Sequence, residues 1–177
     1  NVSHEGAQLY CKWLEEKLQA INEGLYEIQI SLPTKEQWMY AAYGGNQFAP
    51  YPWGTHYIRN KDGLILANFR RLGDESIRRN EDTGELEVID TPIHPSVTGN
   101  LNDNAHMMAP ATSYLPNDYG LFNISGNVAE MLDQPKAAKG GSWNSTGYDI
   151  RIDAEGEYDG WEKPSPYIGF RPIVRVK

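Results

Sequence analysis

Oxygen-bearing residues are concentrated in one stretch of the sequence, residues 117–130, which reads Asn-Asp-Tyr-Gly-Leu-Phe-Asn-Ile-Ser-Gly-Asn-Val-Ala-Glu. Asn123 and Glu130 carry side-chain oxygens, and a tight turn near Gly126 would point main-chain carbonyls the same way. Hard oxygen ligands at about 2.3–2.6 Å are what Ca²⁺ binds. The same residues also fit an ordinary Gly/Asn turn that leads into a short, self-capped helix, and the residues alone favour that interpretation.

Other side chains that could do chemistry are sparse. The only cysteine, Cys11, falls on the apolar stripe of a predicted helix, which favours a buried core residue. One cysteine also excludes an internal disulfide framework. No metal-ligand spacing is found among the four histidines, which are His4, His56, His94 and His106. No His/Asp set is arranged for nucleophilic catalysis either.

Composition limits the class of protein and its partners. The 177 residues, 40% of them hydrophobic, fit one domain with a single core. With 17 Gly, 11 Pro, 11 Tyr and 5 Trp, the chain favours a turn-rich fold held by aromatic residues over a helical bundle. The net charge of −8 argues against a nucleic acid or an anionic membrane surface as partner, and it suits cations. No apolar run approaches the length of a transmembrane segment.

Two helices are predicted in the first quarter of the chain. Ser3 is placed to cap the first helix, whose apolar residues keep helical spacing until Gly24 closes the segment. Thr34 and Gln37 form a Thr-x-x-Gln capping box, which predicts a second helix over residues 35–43. These two helices would position the remainder of the domain.

Short strands are predicted from alternation or from short apolar runs at residues 26–30, 64–67, 150–152 and 168–176. Residues 74–104 are acidic and polar, and they predict a solvated loop. Between residues 46 and 116 regular periodicity is nearly absent, so irregular structure should dominate there.

Six motifs lie in a fixed order along the chain. Residues 116–130 follow the pattern Pro-Asn-x-Tyr-Gly-Leu-Phe-Asn-Ile-x-Gly-Asn-Val-x-Glu. The other five are Asn-Val-Ser at residue 1 before Tyr-Cys-Lys-Trp-Leu, Leu-Pro-Thr at 32, Tyr-Pro-Trp-Gly at 51, Gly-Gly-Ser-Trp at 140 and Ile-Gly-Phe-Arg at 168. This set resembles the formylglycine-generating enzyme (sulfatase-modifying factor) family from end to end.

The resemblance implies an α+β fold related to C-type lectins, with two helices on a small, mainly antiparallel sheet and long irregular loops. Members of the family usually carry several strands before the position of Asn1. We therefore expect residues 1–177 to form a single domain that lacks the N-terminal strands of the family.

The resemblance also implies two calcium sites, which makes calcium the expected cofactor. The family's first site maps onto Asn68, the carbonyl of Phe69, Asp103 and the carbonyl of Ala105. The second site maps without a gap onto Asn123, the carbonyls of Gly126 and Val128, and Glu130. A long insertion lies inside the first mapping but not inside the second.

The enzymes of the family oxidise a sulfatase cysteine to formylglycine with O₂, at a copper ion held by two cysteines after the Gly-Gly-Ser motif. Soft thiolate ligands are what select Cu(I). Counting from Ser142, the two positions hold Ser145 and Ile150. The tryptophans that usually flank the family's glutamate are replaced by Ala129 and Met131. We therefore expect this chain to form no formylglycine.

Within the family, the motifs that begin at Tyr51, Tyr57 and Leu66 look most like the Bacteroidetes branch, which includes gliding-motility and type IX secretion lipoproteins without the copper cysteines. The leading hypothesis is a non-catalytic, calcium-stabilised structural or interaction domain, a pseudoenzyme of the periplasm or outer membrane. Its expected partners are other cell-envelope proteins, in an oligomeric assembly.

Two alternatives stay open. One is an oxidoreductase of the formylglycine-generating or sulfoxide-synthase type, and the other is a lectin-like module that presents residues 153–166. The expected contact surface is residues 148–159 and 161–167, where aromatic residues lie among carboxylates. Trp161 is equally well interpreted as a contact residue or as a cover for the core.

Overall fold

Two helices and three small sheets make up the regular structure in the computed structural model, which describes residues 1–70, 75–80, 82–84, 86–90 and 107–177. The elements, in chain order, are α1 (His4–Ile21), β1 (Ile28–Ser31), α2 (Lys35–Tyr43), β2 (Glu75–Arg79), β3 (Leu86–Asp90), β4 (Ala129–Met131), β5 (Ala138–Lys139), β6 (Ile168–Gly169) and β7 (Ile173–Val176). Long irregular connections join them, so the predicted α+β class is confirmed.

Both helices begin at the caps that the sequence predicts. The Ser3 hydroxyl accepts a hydrogen bond from the Gly6 amide at 3.0 Å. At α2 the capping box is complete, because Thr34 Oγ1 accepts from the Gln37 amide at 3.2 Å and Gln37 Oε1 accepts from the Thr34 amide at 2.9 Å. Gly44 then ends α2 with a left-handed φ of 55°.

The strands pair mostly in the antiparallel sense. β1 pairs with β7 and places Ile28 opposite Val176, while β2 and β3 form a separate hairpin. In the third sheet β4 lies in the middle, antiparallel to β5 and parallel to β6. The β1–β7 pair therefore joins residues 28–31 to residues 173–176.

Three strand predictions need correction. Residues 64–67 form no strand, and Ile65 makes only an isolated bridge to Arg59. Residues 150–152 form a turn, in which Ile150 and Ile152 are both fully buried in different clusters, so their alternation did not reflect a half-exposed strand. The predicted strand over 168–176 is divided into β6 and β7. The polar stretch 74–104, predicted as a loop, contains the β2–β3 hairpin.

In the described part of the chain, buried apolar side chains form three clusters. The first lies between α1 and the sheet of β4, β5 and β6 and contains Ala7, Cys11, Ile30, Leu32, Ala129, Met131, Ala138 and Ile168. The second surrounds α2 and contains Trp38, Ala42, Ile124, Leu132 and Ile152. The third contains Tyr51, Ile65, Ala67, Phe69 and Ile150. Residues 124–132 contribute to the first and second clusters and so connect them.

Neither helix in the described part of the chain combines the length and the apolar character that crossing a membrane would require.

Candidate functional site

Asn117 holds the start of the 117–130 stretch against the end of α2. Its side-chain amide donates to the carbonyls of Ala41 and Ala42 at 2.7 and 3.2 Å. Its side-chain oxygen accepts from the amides of Tyr119 and Leu121 at 3.1 and 3.0 Å. Carbonyls in the last turn of a helix have no partner within that helix. The buried Asn117 side chain therefore caps α2 and closes its own turn at the same time.

Asn127 makes the next long-range connection. Its side chain exchanges two hydrogen bonds with the backbone of Ala109, at 2.8 and 3.1 Å. Its own amide donates to the carbonyl of Asn68 at 2.7 Å. A Cβ at the neighbouring Gly126, whose φ is 75°, would collide with that Asn68 carbonyl. The segments predicted for the two calcium sites therefore touch each other at Asn68.

Glu130 is buried, with 4% of its surface exposed, and both of its carboxylate oxygens have partners. Oε2 accepts from the Trp38 indole at 2.9 Å, and Oε1 accepts from Arg171 Nε at 2.9 Å. Arg171 also donates to the carbonyl of Phe122 at 2.8 Å. Glu130 thus links β4 to α2 and, through Arg171, to the turn that precedes Asn123.

The residues of the second predicted calcium site lie among these contacts. The side-chain Nδ2 of Asn123 donates to the carbonyl of Pro110 at 3.0 Å, so the side-chain oxygen of Asn123 faces away from Pro110. The buried hydroxyl of Ser125, in the same turn, has no hydrogen-bond partner among the described residues. An orphaned buried hydroxyl is what a missing ion or water would satisfy. Both carboxylate oxygens of Glu130 are bonded to Trp38 and Arg171, so the second calcium site stays a prediction.

The first predicted calcium site is only partly described. The Asn68 side chain donates to the carbonyl of Met107 at 2.6 Å and to Asn127 Oδ1 at 3.2 Å, and Phe69 is buried in the third cluster. Asp103 and Ala105 lie outside the described residues, so this site stays a prediction. Within the described ranges, no three His, Cys, Asp or Glu side chains lie where they could hold a metal together.

The two positions that the resemblance assigns to copper ligands, Ser145 and Ile150, lie close together. A Cβ built on Gly141 would be 2.8 Å from Ile150 Cγ2 and 3.1 Å from Ser145 Cβ. Ile150 is fully buried and Ser145 is 1% exposed. The backbone therefore brings the two positions together, although the side chains there are a hydrocarbon and a hydroxyl.

Ser145 belongs to a compact polar network. Its hydroxyl donates to the Glu157 carboxylate at 2.5 Å and lies 3.2 Å from the Tyr158 hydroxyl. The Tyr158 hydroxyl is also 2.6 Å from the Ser142 hydroxyl. Desolvation raises the pKa of Glu157 and, separately, the pKa of Tyr158. All the side-chain groups of this network are hard oxygens, which are poor ligands for Cu(I).

The aromatic residues of the predicted contact surface divide into two groups. Trp161 and Tyr167 are partly buried and pack on the first cluster, and the ring of Tyr167 lies 5.0 Å from that of Trp143. The indole nitrogen of Trp161 is buried without a hydrogen-bond partner in the described ranges. Tyr148 is 65% exposed, and its ring faces the Arg151 guanidinium at 5.2 Å. Of these three aromatic side chains, Tyr148 is therefore the exposed one.

Sequence reasoning missed several of these roles. It treated Asn117 and Asn127 as turn residues, and it did not pair Arg171 with Glu130 or Tyr158 with Ser142. Asparagine between glycines signals a turn, but it does not reveal which distant backbone the side chain will reach.

Comparison with known proteins accounts for the same set of motifs. Residues 1–176 match the Sulfatase-modifying factor enzyme 1-like domain. The chain is 28% identical over 155 residues to the Inactive C-alpha-formylglycine-generating enzyme 2 of Bos taurus, covering 82% of this chain and 38% of that protein. It is 31% identical over 164 residues to the Formylglycine-generating enzyme of Thermomonospora curvata, covering 90% of this chain and 40% of the relative.

Among solved structures, PvdO from Pseudomonas aeruginosa superposes with a TM-score of 0.61 at 14% identity, covering 98% of this chain and 60% of PvdO. That likeness supports the fold. The chain spans about two fifths of the length of the curated relatives described above. Because the domain match extends over nearly the whole sequence, the chain belongs to the Sulfatase-modifying factor enzyme 1-like domain family.

Proposed function

We propose that this chain is a non-catalytic, calcium-stabilised domain that acts by presenting a surface to other proteins. The observation that carries the proposal is the pair of neighbouring side chains beside Gly141, Ser145 and Ile150. The fold brings these positions together as a two-ligand metal site would need, and neither side chain is a thiolate. The name of the Bos taurus relative, which describes that protein as inactive, supports the same conclusion.

The contacts of Ser145 and Ile150 also argue against a copper site. The Ser145 hydroxyl donates a hydrogen bond to Glu157, and Ile150 packs in the third cluster. The only thiol, Cys11, is buried in the first cluster and belongs to α1. The chain therefore has no second thiol with which to build the two-thiolate site that the family's copper ion requires.

A direct assay tests the absence of this chemistry. The purified chain, given Cu(I), O₂ and a Cys-x-Pro-x-Arg peptide, should leave the peptide's cysteine unchanged by mass spectrometry. A catalytically active formylglycine-generating enzyme, assayed in parallel, shows that the conditions permit turnover. Peptide oxidation above a protein-free control would contradict the proposal and favour the oxidoreductase alternative.

The calcium part of the proposal concerns the turn that contains Asn123, Gly126, Val128 and Glu130. Its support is the orphaned hydroxyl of Ser125 and the orientation of the Asn123 side chain. Bound calcium would add positive charge where Glu130 already faces Arg171, so the neutral oxygens would contribute most of the ligands. Removal of the ion should destabilise the turn without abolishing the domain's other contacts.

The placement of the protein in a cell envelope rests on motif similarity to the gliding-motility and type IX secretion lipoproteins. Under this proposal the full-length protein is a lipoprotein of the periplasm or outer membrane and joins an assembly with other envelope proteins. Exposed Tyr148 is the anchor that this chain offers to such a partner.

Affinity purification of the full-length protein from its native membranes should recover envelope proteins, and Tyr148→Ala should reduce that recovery while the melting temperature stays unchanged. Recovery that does not change would contradict this surface.

A further inference from the structure

Phe48 lies on the loop between α2 and the Tyr-Pro-Trp-Gly motif, and 95% of its surface is exposed. Hollows of about 430 and 240 Å³ adjoin it, and both are lined by Gln47, Phe48, Ala49 and His56. Together the two hollows form what we call the Phe48 groove. A single exposed phenyl ring is common on protein surfaces. This ring belongs to the wall that the two hollows share, so it offers a flat apolar face to a ligand that enters either of them.

Backbone contacts hold the loop on both sides of Phe48. The Ala49 amide donates to the carbonyl of Asn46 at 3.0 Å, and Ala49 itself is buried. The next carbonyl along the chain, that of Pro50, accepts from the Ile152 amide at 2.8 Å. The groove is therefore formed before a ligand arrives, which lowers the entropy cost of binding.

The first hollow has polar groups that are free to bind a ligand. Its lining includes Asn46, Gln47 and His56. Asn46 Nδ2 donates to Asp118 Oδ2 at 3.0 Å, and the side-chain oxygen of Asn46 accepts no bond from the described residues. In the same described part of the chain, the side chains of Gln47 and His56 form no hydrogen bond. A side-chain amide offers a donor and an acceptor on neighbouring atoms, so this hollow can bond with a group that needs both.

The second hollow contains an ion pair between Arg151 and Asp153. Arg151 Nε donates to Asp153 Oδ1 at 2.9 Å, and Arg151 Nη2 donates to Asp153 Oδ2 at 2.6 Å. The two side chains are still 34% and 51% exposed. Bidentate geometry fixes both groups, and it leaves the Nη1 hydrogens of the guanidinium and further lone pairs of the carboxylate for a ligand. Because the two charges cancel, a neutral ligand fits this hollow better than an ion.

We propose that the Phe48 groove binds a neutral oligosaccharide, with one sugar ring in each hollow and Phe48 between them. A sugar hydroxyl both donates and accepts hydrogen bonds, which matches side-chain amides and an ion pair that present donors beside acceptors. A pyranose ring also has a face made of C–H groups, and that face packs on an exposed phenyl ring. Sugar binding is an activity in addition to the protein contact proposed above for Tyr148.

Saturation-transfer difference NMR tests sugar binding on the intact chain. The probes are lactose, maltotriose, cellotriose and N,N′-diacetylchitobiose, which are neutral and contain two or three sugar rings. At least one of them should bind, and it should bind severalfold more tightly than its own monosaccharide, because a single ring fills only one hollow. Absence of binding by all four probes at millimolar concentration would overturn the proposal.

Variants then locate the site. Phe48→Ala should weaken binding of that probe by about tenfold or more, while the melting temperature stays unchanged because the ring is exposed. Gln47→Ala removes an amide from the wall that both hollows share, so it should weaken binding as well. The matched control is Tyr57→Ala, which removes an aromatic side chain that is 75% exposed and lines neither hollow. Equal affinities for the wild type and Phe48→Ala, or equal losses for Phe48→Ala and Tyr57→Ala, would overturn this site.

Discussion

The buried polar side chains of residues 117–131 bond with distant parts of the chain, whereas those of residues 141–158 bond with residues nearer in sequence. In the first region they reach distant parts of the chain: Asn117 contacts Ala41, 76 residues away, and Glu130 contacts Trp38, 92 residues away. In the second region the hydrogen bonds between the buried side chains are short in sequence, since Ser142 bonds with Tyr158 across 16 residues and Ser145 bonds with Glu157 across 12. Long-range contacts hold the fold together, so the first region tolerates little change. Substitution of Ser142 or Glu157 should instead remove side-chain contacts within the second region rather than contacts between distant segments.

The largest expected effect is that of Glu130→Gln. The amide NH₂ would face either the Trp38 indole or the Arg171 guanidinium, both of which are donors. Loss of one partner of a buried ion pair costs about 3–5 kcal/mol. The Arg171 side chain is 36% exposed, so the lower end of that range applies. Urea unfolding should show a lower midpoint at an unchanged slope.

Glu162→Gln is the matched control, because it makes the same change in the exposed ion pair with Lys136. Its effect should stay below about 1 kcal/mol. Equal losses in the free energy of unfolding for the two variants would contradict the greater importance of the buried, long-range contacts of Glu130.

Calcium removal should have the next largest effect. An ion bound only by the native state adds about 2.7 kcal/mol at a hundredfold excess over its Kd. EDTA should therefore lower the melting temperature of the wild type. Asn123→Gly keeps the left-handed φ of 49° but removes the side-chain oxygen, so it should lose the EDTA response, whereas Asn123→Asp should keep it. Glu130→Gln is unsuitable for this purpose because it also disrupts the Arg171 pair. A wild-type melting curve that does not respond to EDTA would contradict the calcium proposal.

Asn117→Ala follows. It leaves the carbonyls of Ala41 and Ala42 without their cap, and an unsatisfied buried group costs about 1–3 kcal/mol. Hydrogen exchange should speed up in the last turn of α2 more than in α1. Asp118→Ala, at an exposed neighbour that accepts one bond from Asn46, should change the free energy of unfolding by about 0.5 kcal/mol or less. If α1 and α2 exchange equally fast in Asn117→Ala, the side chain is not a local cap.

The smallest expected effect concerns Glu157. Its pKa is raised above the ordinary value of 4.5 mainly by desolvation, so the native state holds this proton more tightly than the unfolded state. The corresponding stability is present below the unfolded-state pKa and is lost as pH rises through the higher folded-state pKa. Glu157→Gln should therefore be less sensitive than the wild type to a pH increase that begins near 4.5. Parallel pH dependences would show that the Glu157 carboxylate is not desolvated in the native state in solution.

The parts of the fold that the sequence predicts well are those decided by near neighbours. Thr34 and Gln37 are three residues apart, so their capping box could be read directly and is confirmed. Ile150 and Ile152 show the limit, because two buried isoleucines in a turn produce the same alternation as a strand. The Glu130–Arg171 pair spans 41 residues, and no local pattern indicates which arginine will reach which carboxylate.

The pairing of β1 with β7 has a consequence for biosynthesis. Ile28 is synthesised well before its partner Val176. At about 5–20 residues per second, β1 waits on the order of ten seconds for the strand that completes it. During that interval its backbone offers an open edge to any extended segment nearby. Nascent chains of this protein should therefore be a preferred client of ribosome-associated chaperones until residues 173–176 are made.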